Sequence, residues 1–231
     1  MSLDPLPTDK NIGDLVADRI RDAINDGRYP PGMRLVERTL ARELGVSHIP
    51  IREALARLSD EGLVQRLPRR GSRVAVLTAK GLEELSTLRV LLEQFVVVRV
   101  QERLSPATLA ELRRVVATMR TAAARGDYKQ MLELDQRFHE RLWALADHAM
   151  LGEIVTQLRR RIGSFLHAAT AALTPEELAE HAASHDVLID AIATGDAEIA
   201  RVEMARHVHI AADRIHTALR AAEATDGAEG H

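Results

Sequence analysis

The sequence predicts a mainly α-helical protein of two domains, the second of them entirely helical. Three observations lead to this fold class. Only 3 % of the 231 residues are aromatic, and the apolar residues recur mostly at the three- and four-residue spacing of amphipathic helices. Glycine, proline and capping residues divide them into helix-sized segments. Short β-prone runs stand at residues 64–67 and 73–76, which predicts one small hairpin and no large sheet.

The composition limits the chemistry and the location of the protein. The chain has no cysteine, so any metal site must use histidine and carboxylate ligands, and disulfides are excluded. The N-terminus lacks the basic and apolar regions of a secretion signal, and no run of about 18 uncharged apolar residues follows. We therefore expect a cytoplasmic protein.

The charge is divided unevenly along the chain. The net charge is −3, but residues 28–73 contain ten arginines against five acidic residues, a local balance of +5. Residues 78–231 contain eighteen basic and twenty-three acidic residues, a balance of −5. A basic segment of this kind favours contact with nucleic acid in the first domain.

The first domain is predicted at residues 10–77, after a disordered lead-in at residues 1–9 that contains two prolines. Apolar residues at helical spacing predict a first helix at residues 10–26. Residues 35–62 then predict two short helices that meet at a Gly-Val-Ser turn. Their apolar stripes consist of Leu40, Ala41 and Leu44 on one helix and of Ile51, Ala54, Leu55 and Leu58 on the other.

The turn between these two helices has suitable residues at each position. Gly45 fits a left-handed C-cap, and the Ser47 hydroxyl is expected to accept a hydrogen bond from the first turn of the second helix. Pro50 falls in that first turn, where its missing N–H costs little. The pattern is typical of a helix-turn-helix, whose second helix enters the DNA major groove. His48 and Arg52 would lie on its exposed face.

Two amphipathic helices joined by a glycine turn can also form an αα-hairpin that binds no DNA. The next segment favours the DNA-binding alternative. The two β-prone runs flank a basic loop at residues 68–72, and Gly71 supplies the positive φ that a hairpin needs. A helix-turn-helix followed by a basic hairpin is a winged helix-turn-helix.

A characteristic set of residues occurs between Ile24 and Val76: Asp26 to Gly32, Leu35, Glu37, Leu40-Ala41, Leu44 to Ser47, Pro50 to Leu55, Leu58, Glu61 to Val64 and Arg70-Gly71. This set resembles the DNA-binding domain of the GntR family of bacterial transcription regulators. The resemblance implies operator contacts from Arg38, Ser47, His48 and Arg52, and minor-groove contacts at the wing tip from Arg70 and Gly71. His48 departs from the family, where arginine is usual, and offers one donor and one acceptor in place of a bidentate fork for guanine.

The second domain is predicted at residues 81–222, after a linker at residues 78–80 and before a frayed tail at residues 223–231. It should be an antiparallel bundle of six helices, at residues 80–104, 106–125, 128–146, 149–172, 175–194 and 197–222. Capping signals separate them: Ser105-Pro106, Arg125-Gly126-Asp127, Thr174 to Glu177 and Gly195-Asp196.

Polar residues on the apolar faces of this bundle suggest a metal site. Asp135 and His139 stand at i and i+4 on the third helix, and an ionised Asp on an apolar face needs a cationic partner. His185 and His207 flank the break between the last two helices and reach similar depth in an antiparallel hairpin. Depth places His181 about as well as His185. A buried His is also often only hydrogen-bonded, so spacing leaves open both the ligand set and the presence of a metal.

A second set of residues occurs in order along residues 80–222: Arg89-x-x-x-Glu93, Asp135-x-x-Phe138-His139, His185-x-x-Leu188 to Ile192, Gly195-Asp196 and Met204-x-x-His207. This set resembles the FadR-type C-terminal ligand-binding domain of the GntR family, the helical bundle known as FCD. The resemblance implies that Asp135, His139, His185 and His207 bind a divalent metal ion, and that Arg89 lies near the effector pocket. Such ligands suit Zn²⁺, Ni²⁺ or Mn²⁺. For Arg89 a surface ion pair with Glu93 is the alternative.

The predicted function is that of a DNA-binding repressor whose operator affinity changes when a small carboxylate effector binds at the metal. We expect a homodimer, because one recognition helix buries too little surface for tight binding. The first alternative is a metal-dependent hydrolase with an accessory helix-turn-helix, although no His-Glu-x-x-His or similar arrangement supplies its general base. The second is a helical scaffold with structural histidines.

Overall fold

The computed structural model describes residues 11–67 and 70–229, with side chains described as far as residue 221. The chain divides after Val76 into two compact units. The predicted disordered lead-in at residues 1–9 and the loop residues 68 and 69 lie outside the described residues. Within the described part of the chain, no helix is both long enough and apolar enough to cross a membrane.

The first unit is a winged helix-turn-helix, as predicted. Its elements are α1 (Ile12–Asn25), β1 (Arg34–Leu35), α2 (Glu37–Leu44), α3 (His48–Asp60), β2 (Val64–Leu67) and β3 (Gly71–Val74). The strands form one antiparallel sheet in the order β1-β3-β2, with Val64 opposite Val74 and Leu67 opposite Gly71. The two-residue strand β1 was not predicted, since it is too short to show alternation. The strand β3 begins at Gly71, two residues before its predicted start at residue 73.

The helices of the first unit pack through their apolar stripes against the sheet. The buried set comprises Val16, Ala17, Ile20, Ile24, Leu35, Leu40, Ala41, Ile51, Ala54, Leu55, Leu58, Leu63, Val64 and Val74. Leu44 was predicted to join this core, but it is exposed. It is the last residue of α2, directly before the turn that leads the chain away from the core.

The turn between α2 and α3 confirms one capping prediction and contradicts the other. Gly45 is the C-cap of α2 in the left-handed conformation, with φ of 66°. Ser47 occupies the N-cap position of α3 with extended backbone, but its side chain makes no capping hydrogen bond. The predicted cap is therefore wrong, and the Ser47 side chain lies exposed at the start of α3.

The second unit contains the six predicted helices, α4 (Ala79–Gln101), α5 (Pro106–Ala124), α6 (Tyr128–Leu145), α7 (Ala149–Ala171), α8 (Pro175–Ala193) and α9 (Ala197–Glu229). Most helix ends lie within one residue of the prediction, but α4 ends at Gln101, three residues before its predicted end at residue 104. Two further ends bear on the domain limits. The helix α4 begins at Ala79, inside the predicted linker 78–80, because Thr78 caps it by accepting a hydrogen bond from the Gly81 N–H. The helix α9 continues to Glu229, so the predicted frayed tail from residue 223 is helical as far as Glu229. The alanine-rich sequence there favours a helix.

Hydrogen bonds from α4 side chains show the relative direction of α4 and α9. Gln94 on α4 donates to the carbonyl of Arg201, and Gln101 donates to the carbonyls of Ile192 and Asp196. Residues later in α4 therefore meet residues earlier in α9, which makes the two helices antiparallel. The start of α8 has the predicted capping box, with the Thr174 hydroxyl and the Glu177 carboxylate each accepting the other residue's backbone N–H.

Candidate metal centre and DNA-reading surface

Four side chains from three helices converge inside the second unit. Asp135 and His139 come from α6, His185 from α8 and His207 from α9, and all four are buried. Each offers one ligand atom, and these four atoms lie within 4.8 Å of one another. The structure thus brings together the complete set that the sequence predicted.

The contact between His185 and Asp135 joins two hydrogen-bond acceptors. His185 Nδ1 lies 3.0 Å from the carbonyl oxygen of His181, and a carbonyl can only accept, so this nitrogen carries the hydrogen. A neutral His185 then has an unprotonated Nε2, which lies 3.0 Å from the Asp135 carboxylate oxygen Oδ1. A lone pair facing a carboxylate at this distance requires a cation between them, either a proton or a metal ion.

The other two ligands show a similar arrangement. His139 Nε2 and His207 Nε2 lie 3.3 Å apart. Two ligand atoms that each bind one ion at about 2.1 Å stand about 3.0 Å apart at a right angle and about 3.4 Å apart at the tetrahedral angle. Both measured separations fall in this range, and all four ligand atoms lie within 4.8 Å of one another, so the four residues form a candidate site for one divalent ion.

His181 lies at the same site but is suited to a different role. Its Nδ1 contacts the Arg214 guanidinium, which can only donate, so Nδ1 accepts and the hydrogen of neutral His181 sits on Nε2. That Nε2 lies 3.3 Å from Asp135 Oδ1. His181 is therefore placed to donate to the carboxylate, whereas His185 presents a free lone pair. This difference favours His185 as the ligand, which helix depth alone left open.

Arg159 on α7 completes the surroundings of Asp135, and the sequence analysis missed it. Its guanidinium contacts Asp135 Oδ2, and both side chains are buried. Burial by itself raises the pKa of Asp135, but the Arg159 guanidinium and the hydrogen bond from His181 hold that pKa well below its ordinary value. The carboxylate is therefore ionised at neutral pH.

A signal for Arg159 was present in the sequence. Leu151, Val155 and Ile162 form the buried face of α7, and Arg159 takes the position between the last two at helical spacing. An arginine on an apolar face requires a buried partner. Its exposed neighbours Arg160 and Arg161 hid this signal, since three consecutive arginines suggest a solvated surface.

Two of the histidine ligands, His139 and His207, are held in their neutral forms. Burial lowers the pKa of His207 well below its ordinary value, and the neighbouring histidines lower it further. Burial also lowers the pKa of His139, although Glu93 and Asp135 oppose the shift. Neutral imidazole is the form that binds metal ions, so protons compete weakly for these ligands at neutral pH.

Arg89 and Glu93 on α4 form an ion pair beside the cluster. The Arg89 nitrogens Nε and Nη2 donate to Glu93 Oε1 at 3.2 and 2.6 Å. Both side chains are buried, so the pair proposed as a surface alternative from the sequence forms, but in the interior. Trp143 Nε1 donates to the other carboxylate oxygen at 3.2 Å. The same oxygen lies 3.7 Å from His139 Nδ1.

The residues predicted to contact DNA are exposed on the first unit. Ser47, His48 and Arg52 lie on the N-terminal half of α3, and Arg38 lies on α2. Arg52 Nε lies 4.0 Å from the carboxylate of Glu37 on α2, so its guanidinium is only loosely held. Arg70 and Gly71 lie at the tip of the hairpin, where Gly71 has φ of 87°. All six side chains or backbone positions are thus open to a ligand.

Two family models match the chain. The model described as bacterial regulatory proteins of the gntR family matches residues 13–74, and the FCD domain model matches residues 84–210. The chain belongs to the GntR family of bacterial transcription regulators. Its first unit is the DNA-binding domain of that family and its second unit is an FCD domain.

Named relatives agree with this membership. The transcriptional regulator McbR of Escherichia coli is 31 % identical over 183 residues, which cover 79 % of this chain and 83 % of McbR. The gluconate operon transcriptional repressor of Bacillus subtilis is 30 % identical over 189 residues, which cover 80 % of this chain and 77 % of the repressor.

The same relationship is seen in three dimensions. The solved structure of E. coli McbR/YncC superposes with a TM-score of 0.78 at 28 % identity, over 90 % of this chain and 98 % of that one. These matched proteins are transcription regulators by name. The protein is therefore a DNA-binding transcription regulator, and the alternative of a hydrolase is not favoured.

Proposed function

We propose that the protein is a repressor whose affinity for operator DNA is set by a small carboxylate effector at a metal ion held by Asp135, His139, His185 and His207. The proposal depends on one observation: hydrogen-bond acceptors of these side chains face one another inside the second unit. His185 Nε2 faces the Asp135 carboxylate at 3.0 Å, and two further histidine nitrogens face each other at 3.3 Å. A divalent ion bound by these four side chains would satisfy both pairs of acceptors.

The donor set suits Zn²⁺, Ni²⁺ or Mn²⁺. When bound, such an ion supplies an open coordination position for an oxygen donor. One carboxylate ligand leaves a net charge of about +1 at the ion, which favours an anion in an apolar surrounding. A small carboxylate has both the charge and the oxygen donor that this site would select.

A carboxylate effector also needs a donor beside the metal, and two arginines are candidates. Arg89 remains the anchor predicted from the family resemblance, but its Nε and Nη2 already bind Glu93. Arg159 contacts Asp135 directly, and a metal ion on Asp135 would free its guanidinium to hold the effector in fork geometry. We therefore propose Arg159 as the first anchor, with Arg89 as the alternative.

The proposed homodimer has a suitable surface on the second unit. Large apolar side chains are exposed at neighbouring positions of three helices: Leu88, Leu91 and Phe95 on α4, Met150 and Ile154 on α7, and Ile199 and Val202 on α9. The centre of the Phe95 ring lies 6.0 Å from that of His148, the residue directly before α7. The exposed side chains of α4 and α7 are therefore close together. A stable interface buries about 800 Å² per partner, and these side chains would form its apolar centre.

Effector binding would alter DNA binding only if it favours one arrangement of the DNA-binding units over another. A two-fold dimer reads an inverted repeat, so the spacing of its two recognition helices is the quantity to be changed. Because its partner is operator DNA, the proposed location is the cytoplasm. We expect a coupling of about 1 to 3 kcal/mol between effector and operator.

The test uses the full-length protein and three measurements. Metal analysis should find one equivalent of divalent ion per chain. Calorimetry with a panel of small carboxylates should find a ligand that binds the metal-loaded protein and not the chelator-treated protein. That ligand should change operator affinity five- to 150-fold. Equal binding of the ligand to metal-free protein would mean that the metal is structural and that this mechanism is wrong.

The DNA side of the proposal is tested separately. Arg52→Ala should weaken operator binding, because Arg52 is exposed at the start of α3 where base edges are read. Arg160→Ala, an exposed arginine of the second unit, is the matched control and should leave operator binding unchanged. If Arg52→Ala binds operator and random DNA as the unaltered protein does, the placement of the reading helix is wrong.

A further inference from the structure

Ile49 is the second residue of α3, and 68 % of its surface is exposed. It lies on the side of α3 opposite the buried stripe formed by Ile51, Ala54, Leu55 and Leu58. Its neighbours on the exposed side are His48 and Arg52. A large apolar side chain thus stands among polar ones at the helix end that meets DNA bases in a helix-turn-helix.

The chemistry of the major groove limits what an isoleucine can contact there. Its side chain has no donor or acceptor, so it cannot read the polar edges of bases or bind phosphate. The apolar group that base pairs present in the major groove is the C5-methyl of thymine. We propose that Ile49 contacts the C5-methyl group of a thymine in each operator half-site and so selects an A·T pair beside the bases that His48 and Arg52 read.

The experiment removes the methyl group and nothing else. The operator is first selected from random duplexes with the full-length protein, and each thymine of a half-site is then replaced by deoxyuridine. One position should lose about fourfold in affinity, the effect of one buried methyl group. The Ile49→Ala protein should bind the thymine duplex more weakly than the unaltered protein does, and it should bind the thymine and deoxyuridine duplexes with equal affinity.

The matched control is Leu15→Ala, which removes an exposed apolar side chain from α1. It should retain the full sensitivity to deoxyuridine. If every deoxyuridine duplex binds the unaltered protein as the thymine duplex does, or if Ile49→Ala keeps the same sensitivity, the proposal is wrong. Since Ile49 is exposed, its replacement leaves the core of the first unit intact.

A second inference concerns Glu93 and rests on the proposed metal site. Glu93 on α4 is fully buried. One of its oxygens accepts from Arg89 and the other from Trp143 Nε1, which together fix the carboxylate. The oxygen bound to Trp143 lies 3.7 Å from His139 Nδ1, which has no hydrogen-bond partner among the described residues.

The unpartnered nitrogen indicates the role of the carboxylate. A neutral histidine that presents Nε2 to a metal carries its hydrogen on Nδ1, and such a hydrogen usually goes to a carboxylate or a carbonyl. His185 follows this rule through the carbonyl of His181. We infer that Glu93 is the positioning residue of His139: it accepts the Nδ1 hydrogen and directs Nε2 to the metal, while Arg89 and Trp143 hold the carboxylate in place.

The test measures metal affinity by competition with a chromophoric chelator. Glu93→Gln should weaken metal binding about 10- to 100-fold. Glu140→Gln, which changes the exposed carboxyl next to His139, should leave it unchanged. Trp143→Phe keeps an aromatic side chain but removes one donor to Glu93, so a smaller weakening is expected. This variant is used if Glu93→Gln does not fold.

The outcomes separate this inference from the proposed function. If the unaltered protein binds no metal, the proposed metal site is wrong. If it binds metal and neither Glu93→Gln nor Trp143→Phe changes the affinity, Glu93 does not position His139 and only this inference is wrong. A loss of stability without a loss of affinity would assign Glu93 a purely structural role and would also contradict it.

Discussion

Replacing Arg159 by methionine should destabilise the metal-free protein far more than the metal-loaded one. In the metal-free form Arg159 is the charged partner of the buried Asp135. Removing one partner of a buried ion pair costs about 3–5 kcal/mol. Asp135 keeps the donor His181 Nε2 at 3.3 Å, so we expect the lower end, about 3 kcal/mol.

A bound metal ion should change this result, because the ion itself compensates the charge of Asp135. The loss then reduces to packing and hydrogen bonding, about 1 kcal/mol. The difference of about 2 kcal/mol must appear as tighter metal binding by Arg159→Met, roughly 30-fold, since 1.4 kcal/mol corresponds to tenfold. Removal of an arginine would thus strengthen the metal site.

The assay is urea unfolding followed by tryptophan fluorescence. Trp143 is the single tryptophan of the chain, so its emission reports the second unit alone. Curves are recorded with chelator and with saturating metal, and Arg160→Met, at the exposed neighbouring position, is the control. An equal loss of unfolding free energy in both conditions would refute the view that Arg159 and the metal share Asp135.

Three further outcomes are expected. As the pH falls from 6.5 to 4, the metal-free protein should lose up to roughly 3 kcal/mol of stability, because burial lowers the pKa of His181 to about 4 and the unfolded chain therefore binds the proton at higher pH than the folded protein does. Urea midpoints at each pH measure this loss, and a midpoint that does not change with pH would contradict it. His207→Ala should lower metal content and melting temperature of the second unit, and unchanged metal analysis would exclude His207 as a ligand. Leu91→Asp, at a side chain 67 % exposed, should convert the proposed dimer to a monomer in sedimentation, whereas Lys80→Asp should not.

Local signals were sufficient to predict the fold from the sequence. Helical spacing of apolar residues and the capping residues at each break predicted all six helices of the second unit, because each signal acts within a few residues of the chain. The turn at Gly45 was predictable for the same reason. The prediction for Ser47 was wrong, because a residue suited to a cap does not have to turn its side chain towards the helix.

The DNA-reading and metal residues were predicted in part from chemistry and in part from family resemblance. Asp135 and His139 were visible as polar residues on an apolar face four positions apart. Spacing could not choose between His181 and His185, since both lie on α8 at nearly the same depth. Their roles differ only through the atoms that each Nδ1 contacts, the Arg214 guanidinium in one case and a carbonyl in the other.

By itself the sequence determined the two domains, their helices and the residue types able to bind a metal and DNA. Only the tertiary structure decided which charged groups compensate one another. Arg159 meets Asp135 from α7, at a separation along the chain that no local pattern covers. Burial is the physical reason: in water these two charges would be solvated separately, whereas inside the bundle each needs a partner, and the packing of α6 against α7 determines which one is in reach.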